Sequence, residues 1–551
     1  MKKFLEKLPI ILIFLIPALV AWPLLLPGYF SHHDDLQVMR IFEMRKCILD
    51  LQIPCRWVPD MGYGNGYPLF NYYAVFPYYI GAIFSFILGY INAAKLLFAI
   101  PLFLGSISMY LLSKEFFGKW AGLLSSALFT LAPYHALDLY VRGDVAESFA
   151  MSLIPFCFFF SYKIIKENKK SDALGLSLSL AFFLTSHNIM TVLFMPVLFI
   201  FCIFWLFIQK SKNVFLLLIS FILGIGMSAF FVIPAYFEKN LVQIDNLIRL
   251  DLNFRAHFTT INQLFFDRTW GYGSSVPGAG DTISFQLGWP HWWLAILALL
   301  FFFNFKSKKS FRFFGVLMFL IFGFSSFMTH IVSAFIWERV EILKFTQFPW
   351  RFLSVSVFAS ALLGGVIVFS FKENYKKYCA IFLIVLTTLL NWNYFKPDKF
   401  FTTLNDSQKL SGELWDEQRR AAVSDYVPDG ALVPTEPAPT KPVVLNGKAK
   451  IDDYKLRSNS WKFNASVLED SKIEIPVFEF ENWKVTGNGQ VLTKEVGRIG
   501  RIKINLPPGE YKVEGHFENT LIRTVTNLIS LFSFIFSIFL FKIWKNKNEL
   551  I

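Results

Sequence analysis

Uncharged, apolar runs long enough to cross about 30 Å of hydrocarbon recur along most of this chain, and they constrain it to a helical, polytopic membrane protein. The first runs from Leu8 to Leu26, behind Met-Lys-Lys. It resembles a signal peptide in outline but lacks a small-x-small cleavage site and is followed by further spans, so it is expected to be retained. Only 17% of the 551 residues are charged, where a soluble domain would carry roughly 25%. The net charge of +13 does not indicate nucleic acid, because the basic residues lie mainly in short loops between apolar segments, as cytoplasmic loops do.

Those basic clusters orient the chain. Lys2/Lys3/Lys7, Lys114/Lys119, Lys163 to Lys170, Lys210/Lys212, Lys306 to Arg312, Lys372 to Lys377 and Lys542 to Lys547 mark the inside. The pattern predicts a transmembrane region over 1–394 with outer loops 29–73, 135–147, 236–288 and 334–350, and a short outer turn at 186–188. An outer β-rich domain over 395–520 follows, then a final transmembrane helix and basic cytoplasmic tail over 521–551. Both termini are then cytoplasmic in a multi-pass protein of the cell membrane. The expectation is about 12–13 apolar helices, about twelve of them crossing fully. Segments 74–92 and 94–113 must share one net crossing, so one of them is read as re-entrant or interfacial. Residues 36–51 read as an amphipathic helix on the outer membrane surface, with Asp35 as its N-cap.

Within 395–520, a Pro-rich start gives way to alternating runs such as Lys472-Ile473-Glu474-Ile475 and Arg501-Ile502-Lys503-Ile504-Asn505, separated by Gly and Pro turns. Period-two alternation of this kind predicts a small antiparallel β-sandwich. Cys157, Cys202 and Cys379 fall in apolar segments, whereas Cys47 and Cys55 share the first outer loop, where a disulfide is an open question. The sequence contains no Walker motif, Rossmann fingerprint or zinc-ligand spacing.

Ionisable residues that suit chemistry collect on the outer side. Asp34 and Asp35 follow the first span, where a carboxylate suits proton abstraction or oxygen ligation of a divalent cation. The alternative is a solvated loop and a helix cap. In Tyr140-Val141-Arg142-Gly143-Asp144-Val145-Ala146-Glu147, Arg142 suits a phosphate and Asp144 and Glu147 supply further acid, or simply cap a helix. His187, in Ser186-His187-Asn188, suits phosphate or the orientation of an acid. Arg351 and Arg56 suit lipid phosphate, with snorkelling as the alternative. The Gly/aromatic stretches Gly62 to Pro68 and Trp270 to Asp281 suit sugar stacking and lid motion, or interfacial anchoring.

One helix, an outer loop with an acidic pair and a surface helix, then a second outer loop with an acid, resembles the GT-C class of integral membrane glycosyltransferases. The blocks His32-His33-Asp34-Asp35, Gly64 to Tyr73, Arg142 to Glu147, Ser186-His187-Asn188, Ser284-Phe285-Gln286-Leu287-Gly288 and Phe348-Pro349-Trp350-Arg351 are closer still to the bacterial and archaeal "6-pyruvoyl-tetrahydropterin synthase-related" membrane proteins. The resemblance implies an all-α GT-C-like bundle with the C-terminal β-domain outside. It also implies transfer of a hexose or pentose, with inversion, from a polyprenyl-phosphate donor to an envelope glycan, lipid or protein acceptor. Asp34 or Asp35 would activate the acceptor. Arg56, Arg142, His187 and Arg351 would hold donor phosphate, and Asp144, Glu147, Tyr72 and Gln286 would contact substrate. A divalent cation, magnesium or manganese, would be held by Asp34, Asp35 and Asp144. The acidic pair is adjacent rather than spaced, and Asp267 and Asp281 are candidates for a partner acid. The alternatives are a flippase for lipid-linked glycans and a non-catalytic envelope scaffold.

Overall fold

The computed structural model describes residues 2–248, 252–278, 280–304, 309–421 and 423–549. Lys306 and Lys308 of one basic loop and Ala279 of the second Gly/aromatic stretch lie outside these, as do the side chains of Lys2, Lys3 and Lys545 to Lys547. The chain is 62% helical. The apolar runs fold as α1 (Lys2–Val20), α3 (Phe76–Leu88), α4 (Tyr90–Phe117), α5 (Lys119–Thr130), α6 (Val145–Glu167), α7 (Lys170–Leu184), α8 (Asn188–Gln209), α9 (Val214–Phe237), α10 (Trp289–Asn304), α11 (Lys309–Met328), α12 (Leu353–Ser370), α13 (Glu373–Asn391) and α15 (Leu521–Glu549). Among the described residues, seven helices are long and apolar enough to cross a membrane unaided. Gly89 and Gly118, both at positive φ, separate shorter helices from the long α4. Of the two segments expected to share a crossing, α3 has 13 residues, about 20 Å, and α4 has 28.

The first outer loop carries α2 (Gln37–Leu49), which is not laid on the membrane surface. Gln37, Val38, Met39, Arg40, Ile41, Glu43, Met44 and Cys47 are buried, because the helix packs on α3 and α4 and is covered from outside by Trp415. Nor does Asp35 cap it: Leu36 is the N-cap, without a side-chain bond, and the Asp35 carboxylate turns instead to Lys409 Nζ at 2.6 Å. Cys47 and Cys55 are joined by a disulfide.

Strand β1 (Tyr29–Phe30) pairs antiparallel with β2 (Phe400–Phe401), so the chain re-enters the first loop after α13 and runs over it as α14 (Gly412–Arg420). Beyond lie β3 (Val443–Leu456), β4 (Ser460–Phe478), β5 (Trp483–Gly487), β6 (Gln490–Val491), β7 (Lys494–Val496), β8 (Arg501–Leu506) and β9 (Gly509–Phe517). They form one seven-stranded antiparallel sheet, curled into a half-barrel. The 19-residue β4 organises it, pairing with β3 on one edge and with β9, then β8, on the other. Trp461, Phe463, Ala465, Val467, Ile473, Ile475 and Val477 face inward at period two. Trp57 of the first loop closes that inner face, its ring 5.5 Å from both Trp483 and Phe517.

Gly62 to Pro68 serves the same junction and not a sugar site. Asn65 accepts from Arg501 Nε at 2.7 Å and from Phe478 N at 2.9 Å, and Tyr63 O accepts from Ala438 N at 2.9 Å. On the membrane side, Arg56 donates to Asn71 Oδ1 at 2.7 Å, Phe230 O at 3.0 Å and Asn527 Oδ1 at 2.9 Å. Glu238 accepts from Arg523 Nε at 2.8 Å, Thr520 Oγ1 at 2.6 Å and Asn71 Nδ2 at 3.0 Å. This buried network fixes α15 to α9 and the first loop.

Candidate active site

The second outer loop is built by helix chemistry. Leu137–Arg142 forms a π-helix, an irregularity that recurs at functional sites. Gly143 then takes a left-handed φ of 75°, and a Cβ there would lie 2.1 Å from the His32 ring. Glycine is required twice over, by conformation and by contact. Asp144 caps α6, its Oδ1 accepting from Glu147 N at 2.9 Å. His187 caps α8, its Nδ1 accepting from Met190 N at 3.2 Å. The positive ends of two helices therefore face one place, which favours carboxylates there and anions beside them.

Two of the three arginines named from the sequence, Arg142 and Arg351, meet at those caps. Arg142 donates to Asp138, to Glu147 Oε2 at 3.0 Å and to Asp144 Oδ2 at 2.8 Å, and its guanidinium lies 4.6 Å from the Trp350 ring centre. Arg351 donates from Nε to Glu147 Oε2 at 3.2 Å and from Nη1 to Thr346 O at 2.8 Å and Gln347 Oε1 at 3.0 Å. Among the described residues its Nη2 has only Asp144, 3.9 Å away and beyond hydrogen-bond distance. Tyr134 donates to Glu147 from behind. Burial raises the Asp144 carboxyl, but Arg142, His187 and Arg351 outweigh it and hold the group well below the usual range. For Asp138, burial and then the charge of Glu147 win, and the group is pushed up. Burial lowers His187 and keeps it neutral, its cap placing the remaining proton on Nε2.

The first loop is laced to the second. His33 N donates to Val141 O at 2.9 Å, Asp34 N to Arg142 O at 2.8 Å, and Gln37 Nε2 to Gly143 O at 2.8 Å. Asp34 is held by both arms of Arg40, at 2.5 and 3.1 Å, and Asp35 by Lys409 and, at 3.7 Å, His32. The adjacent acids therefore point to different cations. Both line a cavity of 840 Å³, together with Arg40, Tyr72, Arg142, Asp144, His187 and Arg351.

Three residues expected here are elsewhere. Arg56 belongs to the α15 anchor and Gln286 bonds Ser284 Oγ at 3.0 Å, neither lining the cavity, while Glu147 stands behind Asp144 as its buried support. Asp267 and Asp281 serve turns: Asp281 accepts from Ser275 Oγ at 2.5 Å and Val276 N at 3.0 Å, which pins the Gly273 to Pro277 wall of the cavity. Asp144, Glu147 and His187 offer three ligand atoms within 4.8 Å of one another, a set that shares only Asp144 with the expected one. A divalent ion entering there would replace the Arg142 contact to Asp144 and take the His187 Nε2 proton's place.

The sequence reading missed Asp425. It lines the cavity from the segment that follows α14. Burial raises its carboxyl, Arg40 opposes and Asp34 adds to the rise, leaving it at about 7. The only sequence signal was a lone acid beside Tyr426 after a charged helix.

A family model described as "6-pyruvoyl-tetrahydropterin synthase related domain; membrane protein" matches residues 70–396. An uncharacterized protein of Lactococcus lactis subsp. cremoris (strain MG1363) is 24% identical over 282 residues, covering 49% of this chain and 45% of that protein, so the match spans less than half of the relative. Among solved structures the chain is similar to ArnT from Cupriavidus metallidurans bound to undecaprenyl phosphate (TM-score 0.40, 10% identity, 70% of this chain and 64% of that one). It is also similar to the arabinofuranosyltransferase AftD from Mycobacteria (TM-score 0.45, 12% identity, 74% and 28%) and to the archaeal oligosaccharyltransferase AglB from Archaeoglobus fulgidus with an inhibitory peptide and a dolichol-phosphate (TM-score 0.39, 14% identity, 71% and 55%).

Proposed function

The chain belongs to the 6-pyruvoyl-tetrahydropterin synthase related family of membrane proteins, and from that premise and its cavity we propose that it is a glycosyltransferase. It moves a sugar from a polyprenyl-phosphate donor to an envelope acceptor at the outer face of the cell membrane. The supporting observation is the unspent edge of Arg351. Its Nη2 lacks a hydrogen-bond partner among the described residues while the rest of the guanidinium is fixed by Glu147, Thr346 and Gln347. A fixed donor at a cavity wall suits a phosphate oxygen, and the adjoining Ile189, Ala235, Phe345 and Phe348 suit the lipid beside it. Arg142 supports that edge by holding Asp144. Asp34 and Asp35 set Arg40 and Lys409 in the same wall. Displacement of the phosphate from the face opposite the acceptor inverts the anomeric centre. No step is assigned to a metal ion.

The test is transfer of radiolabelled sugar from a panel of polyprenyl-phosphate donors by membranes bearing the wild type or Arg351→Lys. Transfer by the wild type and a donor KM raised about tenfold or more in a folded variant are expected, because lysine supplies the charge without the fork. Absence of transfer with every donor, combined with movement of a lipid-linked glycan across vesicles, would replace this reading with a flippase.

A further inference from the structure

Five carboxyls line the cavity: Asp34, Asp35, Asp144, Glu417 and Asp425. Four of them already have a cation as partner or stand open to solvent. Asp34 is clamped by Arg40, Asp35 faces Lys409, and Asp144 faces Arg142 at 2.8 Å and Arg351 at 3.9 Å. Glu417 is exposed at the rim. Asp425 differs from all four. Among the described residues it has no ion pair and no hydrogen-bond donor, although the charged and titratable groups around it are Arg40, Asp34, Tyr67 and Tyr426.

Its backbone is firmly placed. Tyr426 stacks on Tyr72 with ring centres 5.9 Å apart and planes within 9°, Gln243 N donates to Val427 O at 3.0 Å, and Val242 bridges to Pro428. The carboxyl thus lines the cavity from a segment held by these contacts, with Arg40 and Asp34 as its charged neighbours.

Resting on the glycosyltransferase reading, we propose that Asp425 is the proton acceptor of the transfer. Its carboxylate takes the proton of the acceptor hydroxyl as that oxygen bonds the anomeric carbon. The bond from that carbon to the phosphate oxygen breaks, and its electron pair leaves with the lipid phosphate. A base with its affinity near neutrality is matched to work at physiological pH.

The experiment measures kcat and donor KM against pH for the wild type, Asp425→Asn, Asp425→Glu and Asp34→Asn, each checked for monodispersity and thermal unfolding. The wild-type rate is expected to rise with pH and level off above about 7, as Asp425 loses its proton. Asp425→Asn is expected to lower kcat about 100-fold or more with donor KM unchanged, and to abolish the rising limb. Asp425→Glu is expected to recover part of the rate and keep the limb. Equal kcat in the wild type and a folded Asp425→Asn overturns the assignment while leaving the glycosyltransferase reading intact. A limb that survives in Asp425→Asn and disappears in Asp34→Asn also overturns it, in favour of Asp34. Wild type inactive with every donor removes the reading and the assignment together.

Discussion

Gly143 joins the two loops of the site, and its replacement has a calculable consequence. The left-handed φ and the 2.1 Å approach to His32 leave no room for a methyl group. Gly143→Ala is expected to cost about 1–3 kcal/mol and to part His33-Asp34 from Val141-Arg142, which thermal unfolding in detergent would register. An unchanged midpoint would mean that the loops are not held by this contact. Arg142, Asp144 and His187 were legible in the sequence because short polar turns between long apolar runs have nowhere else to go. Arg56 was misread for the converse reason: an arginine near a membrane boundary looks like a phosphate ligand until Asn527, distant in sequence, is seen to hold it. Asp425 was illegible because its enclosure comes from Arg40, Asp34 and Tyr67 and not from its neighbours in the chain.

Among the elements, α15 depends on one buried pair. Glu238 is 4% exposed and Arg523 fully buried, with the guanidinium also lying 5.3 Å from Phe480 and 5.2 Å from Phe517. Glu238→Ala leaves that charge uncompensated and is expected to cost about 3–5 kcal/mol, seen as a lower denaturation midpoint and faster proteolysis between β9 and α15. The double variant Glu238→Leu/Arg523→Met should regain most of the loss, and failure to do so would locate the stability in the hydrogen bonds to Thr520 and Asn71 instead. Helix α2 shows where element reading stops. Its periodicity correctly marked an amphipathic helix, but periodicity does not say whether lipid or protein covers the apolar face. The β-strands were legible from alternation. Their union in one sheet was not, because it depends on β4 being long enough to serve three partners.

At the scale of the molecule, the sidedness inferred from basic loops puts the cavity and the sheet outside. Lys448→Cys on β3 should then react with an impermeant maleimide in intact cells, and Lys212→Cys between α8 and α9 only after permeabilisation. The reverse pattern would invert the whole arrangement. The helices were visible beforehand, since hydrocarbon thickness dictates the length of apolar runs. The cover over the first loop was not, because it is assembled from segments at opposite ends of the chain. That closure also sets a timetable for biogenesis. Tyr29–Phe30 can find Phe400–Phe401 only when the ribosome has added roughly 370 further residues, roughly 20 to 75 s later at about 5–20 residues per second. Until then the first loop lacks the strand and the helix that run over it. The cavity, lined in part by residues 409–426, is therefore completed late, when every helix before α15 but α14 has long been made.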